Sequence, residues 1–142
     1  MNASQFYREA EVPGASPVRL VILLYEQAIV DLRRALAAHR GGDIEARTRE
    51  INHAILVMGH LEATLDKERG GGVAANLERF YQQLRAGLVE AQIKQSAALL
   101  EQQIAHLMEV RDAWRAVERS LLPEPTQPQE QSGNPSRSEW NA

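Results

Sequence analysis

The sequence predicts an all-α fold, an antiparallel up-down four-helix bundle. Two observations carry that expectation: four long segments repeat apolar residues at the helical period, and the breaks between them are too short for neighbouring helices to run in the same direction. A third observation is negative. No segment alternates apolar and polar residues with period two, so no sheet is expected.

The elements follow in order. Pro13, Gly14 and Pro17 close a short N-terminal segment, residues 1–15. Ser16 is a natural N-cap with Pro17 at the first helical position, and the first helix then repeats Ile22, Tyr25, Ile29, Leu32 and Leu36. Gly41–Gly42 break the chain, Asp43 can cap the second helix, and its stripe is Ile51, Ala54, Ile55, Met58, Leu61 and Leu65. Gly70 is expected to close this helix in the left-handed conformation, with Lys67 and Arg69 suiting its negative end. The third helix carries Val73, Leu77, Phe80, Tyr81, Leu84, Leu88 and Ala91. After Gln95–Ser96, with Ser96 as cap, the fourth carries Leu100, Leu107, Val110, Trp114, Val117 and Leu121. The expected bundle is therefore residues 16–122. Residues 123–142 are rich in Pro, Gln, Ser and Glu, with Trp140 the lone large apolar side chain. Such a composition cannot offset the entropy of ordering, so a disordered tail is expected.

Composition excludes several functions. The 142 residues suit one domain with one core, and 44% apolar and 25% charged residues are ordinary for a globular protein. A net charge of −3 argues against a nucleic-acid binder, which shows a basic face. The absence of cysteine excludes a disulfide framework, a thiolate zinc site and a cysteine nucleophile. The first residues, MNASQFYREAEV, place charges where a signal peptide needs an apolar run, and the longest apolar run, Leu20 to Tyr25, is far short of a bilayer span. A cytosolic chain without membrane insertion is expected.

The surface departs from that of a plain bundle at the first helix. Its first half carries an apolar arc of about 200°, from Leu20 and Leu24 through Val21 and Tyr25 to Ile22, where a core-facing stripe needs only about 100°. Leu23 and Val30, seven residues apart, form a second stripe outside it; Leu56, Val89, Ile93 and Met108 also fall off their core stripes. Single exposed apolar residues are ordinary, but so wide an arc calls for a cover. Two covers stay open on the residues alone: the Phe6–Tyr7–Val12 segment, or another molecule.

No active site emerges. A carboxylate-bridged metal pair in a four-helix bundle needs Glu-x-x-His on two helices and a Glu from each of the others. This chain has one such motif, Glu50–Ile51–Asn52–His53, and Ile51 on the core stripe turns His53 outward. His53 and His60 share a face but stand about 10 Å apart along the axis, too far for one ion. Gly70–Gly71–Gly72 lacks the Lys-Ser/Thr of a phosphate loop, so a helix-helix turn is expected there. Glu62 and Arg111 intrude on core stripes, which bundle-end positions or mutual pairing would explain. No catalytic residue, metal ligand or cofactor is assigned.

The order Tyr7, Val12, Ala15–Ser16–Pro17, Leu20, Leu24–Tyr25, Ala28 resembles the start of the flagellin export chaperones of the FliS family. Leu65–Asp66–Lys67–Glu68–Arg69–Gly70–Gly71 followed by Asn76–Leu77 is similar to that family's LDxExGG…NL turn. Tyr81, Leu84 and Leu88 through Lys94 resemble its third helix, and Arg111–Asp112–Ala113–Trp114 the RDAW near its end. The resemblance runs from about Phe6 to Trp114. It implies a bundle that binds the disordered C-terminal segment of flagellin in apolar grooves, prevents premature polymerisation and delivers it to the export gate of the flagellar type III apparatus. It also implies an N-terminal segment, here Phe6, Tyr7 and Val12, that folds over the bundle. Three departures stand out: Arg19 removes the acid of a capping box, Gly72 replaces a commonly acidic residue, and the tail after Pro123 is long and proline-rich.

The expected partner surface is Tyr7, Leu20, Leu23, Leu24, Tyr25, Val30, Leu56, Val89 and Ile93, on a monomer or weak homodimer. The alternatives are a helical adaptor or chaperone for another secreted chain and, more remotely, a metal-dependent bundle enzyme.

Overall fold

The structure, a computed structural model, describes residues 16–122. Four helices follow one another: α1 (Pro17–Arg40), α2 (Ile44–Ala63), α3 (Lys67–Lys94) and α4 (Ala97–Leu121). All regular elements among the described residues are thus helices, as expected. The N-terminal segment and the tail lie outside the described residues.

Each helix begins on a side-chain cap that takes up one of the N–H groups left without an intrahelical partner. Ser16 Oγ accepts from Arg19 N–H at 3.0 Å, and Asp43 Oδ1 from Ala46 N–H at 3.0 Å. Asp66 Oδ1 accepts from Arg69 N–H at 3.1 Å, and Ser96 Oγ from Leu99 N–H at 3.1 Å. The acid missing at position 19 is offset in another way. The Arg19 guanidinium spans both oxygens of Glu118 at 2.9 and 2.7 Å, tying the start of α1 to the end of α4.

One boundary differs from the expectation. α2 stops at Ala63, with Thr64 as its C-cap, and Gly70 does not close it. Asp66 supplies a cap acceptor before the glycines are reached, so a new helix starts at Lys67 and carries Gly70 buried within its first turn. The left-handed residue is Gly71 (φ 54°, ψ −129°), where α3 kinks. A side chain at that φ/ψ would strike the backbone, so glycine is required there. Lys67 and Arg69 consequently flank the start of α3, and Lys67 reaches across the kink to pair with Glu78.

The helices pack cyclically. α1 lies against α2 and α4, α3 lies against the same two, and α1 and α3 oppose each other across the core. Ile22, Tyr25, Ile29 and Leu32 meet Ile51, Met58 and Leu61, then Tyr81, Leu84 and Leu88, then Leu100 and Leu107, all essentially without exposed surface. Tyr25 and Tyr81 meet edge to face, centroids 6.1 Å apart, with a hydroxyl–hydroxyl hydrogen bond of 2.8 Å. Three polar residues, Asp31, Arg47 and Gln103, are buried as well, off the expected stripes.

The two charges that intrude on the stripes do not pair with each other. Glu62 takes a bond of 2.5 Å from Arg85 and one of 3.1 Å from Gln82, both on α3. Arg111 turns to its neighbour Asp112 at 3.1 Å. Part of the expected core is not closed either. Val73 and Leu121 are exposed, and Ile55, Leu77, Phe80, Val110 and Val117 are only partly buried.

Candidate partner-binding surface

On α1, the acidic and basic ties fix which flank is which. Arg19 and Glu26 pair with Glu118 and Arg115 of α4, while Asp31 faces His53 of α2. Leu23 and Val30 lie on the outer face between these flanks, both at least 40% exposed. Leu20 and Leu24 stand on the α2 side and are half-buried, whereas Tyr25 is sealed in the interior and offers a partner no surface. The wide arc thus has a partial internal explanation. α1 is embraced from both sides by α2 and α4, so Val18, Val21 and Ala28 are buried along with the central stripe.

Leu56, Val89 and Ile93 belong elsewhere. They are 69%, 46% and 75% exposed and flank the seam between α2 and α3. That seam is pinned by Gln92 donating to Thr48 at 2.6 Å and by Arg85 bonding Glu62, contacts that bracket Leu56 on one helix and Val89 on the other. The structure therefore separates the expected surface into two faces: Leu23 and Val30 on the outside of α1, and Leu56, Val89 and Ile93 beside α2–α3. Tyr7 lies outside the described residues.

A third apolar surface is absent from the expectation. Between α3 and α4, Val73, Leu77, Val110, Ala113, Trp114 and Val117 line a cleft of about 230 Å³ with almost no polar lining atoms. Farther along the same seam, Phe80 and Val110 share a larger, more polar depression with Gln83, His106 and Glu109. Periodicity assigns Val73, Leu77, Phe80, Val110, Trp114 and Val117 to the core, and the helical period is indeed theirs. The side chain at 113 is small, and the kink at Gly71 sets the direction of α3 just before Val73, so the two stripes face each other without filling the space between them. The glycine triplet was the available signal that α3 does not begin as a straight helix.

Polar groups support this frame. His53 is turned to the surface, as expected, but its Nδ1–H donates to the buried Asp31 carboxylate at 2.5 Å, and Gln27 donates to the other oxygen at 2.9 Å. Among the described residues, Glu50 and His53 included, no three acidic or histidine side chains converge on a point. Arg47 is buried and donates to His39 Nδ1 at 3.2 Å. No described helix is long and apolar enough to cross a membrane.

The family profile described as flagellar protein FliS matches residues 1–121. The chain belongs to the FliS family. It is 38% identical over 109 residues to the flagellar secretion chaperone FliSB of Pseudomonas aeruginosa, covering 77% of this chain and 86% of that protein. It is 31% identical over 110 residues to the flagellar secretion chaperone FliS of Salmonella typhimurium, covering 77% and 82%. With the FliS of Bacillus subtilis it shares 26% over 114 residues, covering 80% and 84%. The FliS match takes in all four helices and ends at the last residue of α4, so the tail lies beyond it.

Proposed function

We propose that this chain is a flagellar secretion chaperone that holds the disordered C-terminal segment of flagellin in the cytosol, keeps it from pairing with other flagellin chains and delivers it to the flagellar export gate. Membership of a family whose relatives are named flagellar secretion chaperones supports the general role. The observation that carries the specific one is the distribution of apolar surface. Leu23 with Val30, Leu56 with Val89 and Ile93, and the α3–α4 cleft lie on three different faces of one rigid bundle. A globular partner would be met by one contiguous patch. Separate strips suit a partner without structure of its own, which wraps the bundle and lays short amphipathic pieces into successive grooves. The ordering cost of such a segment moderates net affinity for the area buried, and that permits release at the export gate.

Of the expected binding residues, Leu20, Leu23, Leu24, Val30, Leu56, Val89 and Ile93 are described and at least partly exposed, and to these the cleft adds Val73, Leu77 and Val117. Calorimetric titration of the flagellin C-terminal peptide tests the reading. Saturable binding with a negative heat-capacity change, the mark of apolar burial, is the expected result. Absence of binding to that peptide would leave the second reading, a chaperone for another secreted chain.

A further inference from the structure

We propose that Trp140 of the tail docks in the α3–α4 cleft, making the residues after α4 a tethered occupant of one of this chain's own apolar surfaces. The cleft is dry in character, lined by Val73, Leu77, Val110, Ala113, Trp114 and Val117. Its size selects the kind of occupant. At about 230 Å³ it falls below the roughly 300–1,000 Å³ of pockets for small-molecule ligands. An apolar cavity of about 150 Å³ takes benzene, and scaling by ring atoms from six to nine gives about 225 Å³ for an indole. The cleft has room for one large aromatic side chain.

The position selects which one. Val117 and Trp114 lie five and eight residues before Leu122, so the cleft begins roughly 7–12 Å back along the α4 axis from the point where the described chain ends. Seventeen residues separate Leu122 from Trp140, a connection that as a flexible coil spans about 20–25 Å on average. The tether therefore covers the distance with slack and holds the indole near the cleft at a local concentration in the millimolar range. Composition makes Trp140 the anchor. The rest of 123–142 is Pro, Gln, Ser, Glu and other small or polar residues, which neither fold alone nor compete for an apolar site. The FliS match ends at residue 121, so this occupant is a feature of this chain beyond the family domain. With millimolar local concentration and a single side chain as anchor, about half of the molecules are occupied, and a partner loses about twofold in affinity on displacing it.

The experiment reads Trp140 itself in the full-length protein. Trp114 and Trp140 are the two tryptophans, so Trp114→Phe, with its fold checked by circular dichroism, leaves Trp140 as the one indole emitter, and all spectra are read in that background. Docking predicts emission shifted to shorter wavelength and acrylamide quenching about twofold slower than for the isolated 123–142 peptide. Val73→Glu, at an exposed position on the cleft wall, should abolish both effects while the circular dichroism stays unchanged. A Trp140 signal as exposed as in the free peptide overturns the proposal. So does protection that survives Val73→Glu, or protection that appears only after residues 1–14 are removed, which would assign the cleft to the N-terminal segment. No flagellin enters the assay, so its outcome stands apart from that of the peptide titration.

Discussion

Leu23 and Val30 test whether the outside of α1 binds or merely happens to be apolar. Both are at least 40% exposed, so replacing the pair by alanine should change folding stability by no more than about 0.5 kcal/mol each. If they contact the flagellin segment, each lost apolar contact of about 1 kcal/mol weakens binding about fivefold. Leu32, with no exposed surface, sets the contrast: Leu32→Ala should cost about 2–5 kcal/mol, read as a fall in the denaturation midpoint. A stable Leu23/Val30 double mutant with undiminished binding would move the site to Leu56, Val89 and Ile93. At this scale the sequence was informative about off-stripe apolar side chains and caps, and silent about buried polar groups. Leu23, Val30, Leu56, Val89 and Ile93 are exposed where the helical period puts them. Asp31, Arg47 and Gln103 are buried because His53 donates to Asp31, His39 accepts from Arg47 and Gly87 leaves room for Gln103, and a one-dimensional pattern contains no such pairings.

At the level of elements, the start of α3 is the place where local rules compete. Glycines at 70–72 mark a break, and Asp66 places a helix start ahead of it; the structure obeys both, with a capped first turn and then a kink. The expected boundary failed because the glycines alone were taken to mark it, while the cap at Asp66 starts the next helix earlier. The two neighbouring glycines are consequently not equivalent. Gly71→Ala puts a side chain at φ 54°, ψ −129° and should destabilise the protein by about 1–3 kcal/mol. At Gly72 a Cβ would meet nothing within 4 Å, and alanine should be neutral or stabilising by up to about 1 kcal/mol. Chemical denaturation of the two variants decides this, and equal effects would contradict the kink. The cleft beside this kink escaped the sequence for a related reason. The period says which way Val73, Leu77 and Val117 point, but not whether the facing helix comes close enough to cover them.

Taken whole, the four-helix architecture was legible because every level agreed: period, caps, short connections and the absence of alternation all ask for the same bundle. The proposed partner surface was legible only as excess. Too many apolar residues on α1 and a few off-stripe ones elsewhere call for a cover, without placing them on one face or several. One expectation about that cover concerns Phe6, Tyr7 and Val12, which precede the half-buried Leu20 and Leu24. Removing residues 1–14 should increase the binding of a hydrophobic dye, and should tighten flagellin-peptide binding unless the same residues contact the peptide. Dye binding and affinity both unchanged would eliminate the lid.

An even number of antiparallel helices brings the chain back to where it began, and the Arg19–Glu118 bond records how closely: two side chains ninety-nine positions apart share a hydrogen-bonded fork. The bundle therefore has a crowded pole, from which residues 1–15 and 123–142 both depart, and a bare pole made of the Gly41–Asp43 and Gln95–Ser96 connections. Reporters, fusions and surface attachment belong at the bare pole, at the opposite end of the bundle from Ser16 and Leu122. The same closure makes the chain suitable for circular permutation: a flexible bridge joining Leu122 to Ser16, with new ends cut between Gly41 and Gly42, should preserve the helical spectrum and a cooperative melt. Such a permutant carries no flanking segments at all, and its affinity for the flagellin peptide would be that of the bare bundle.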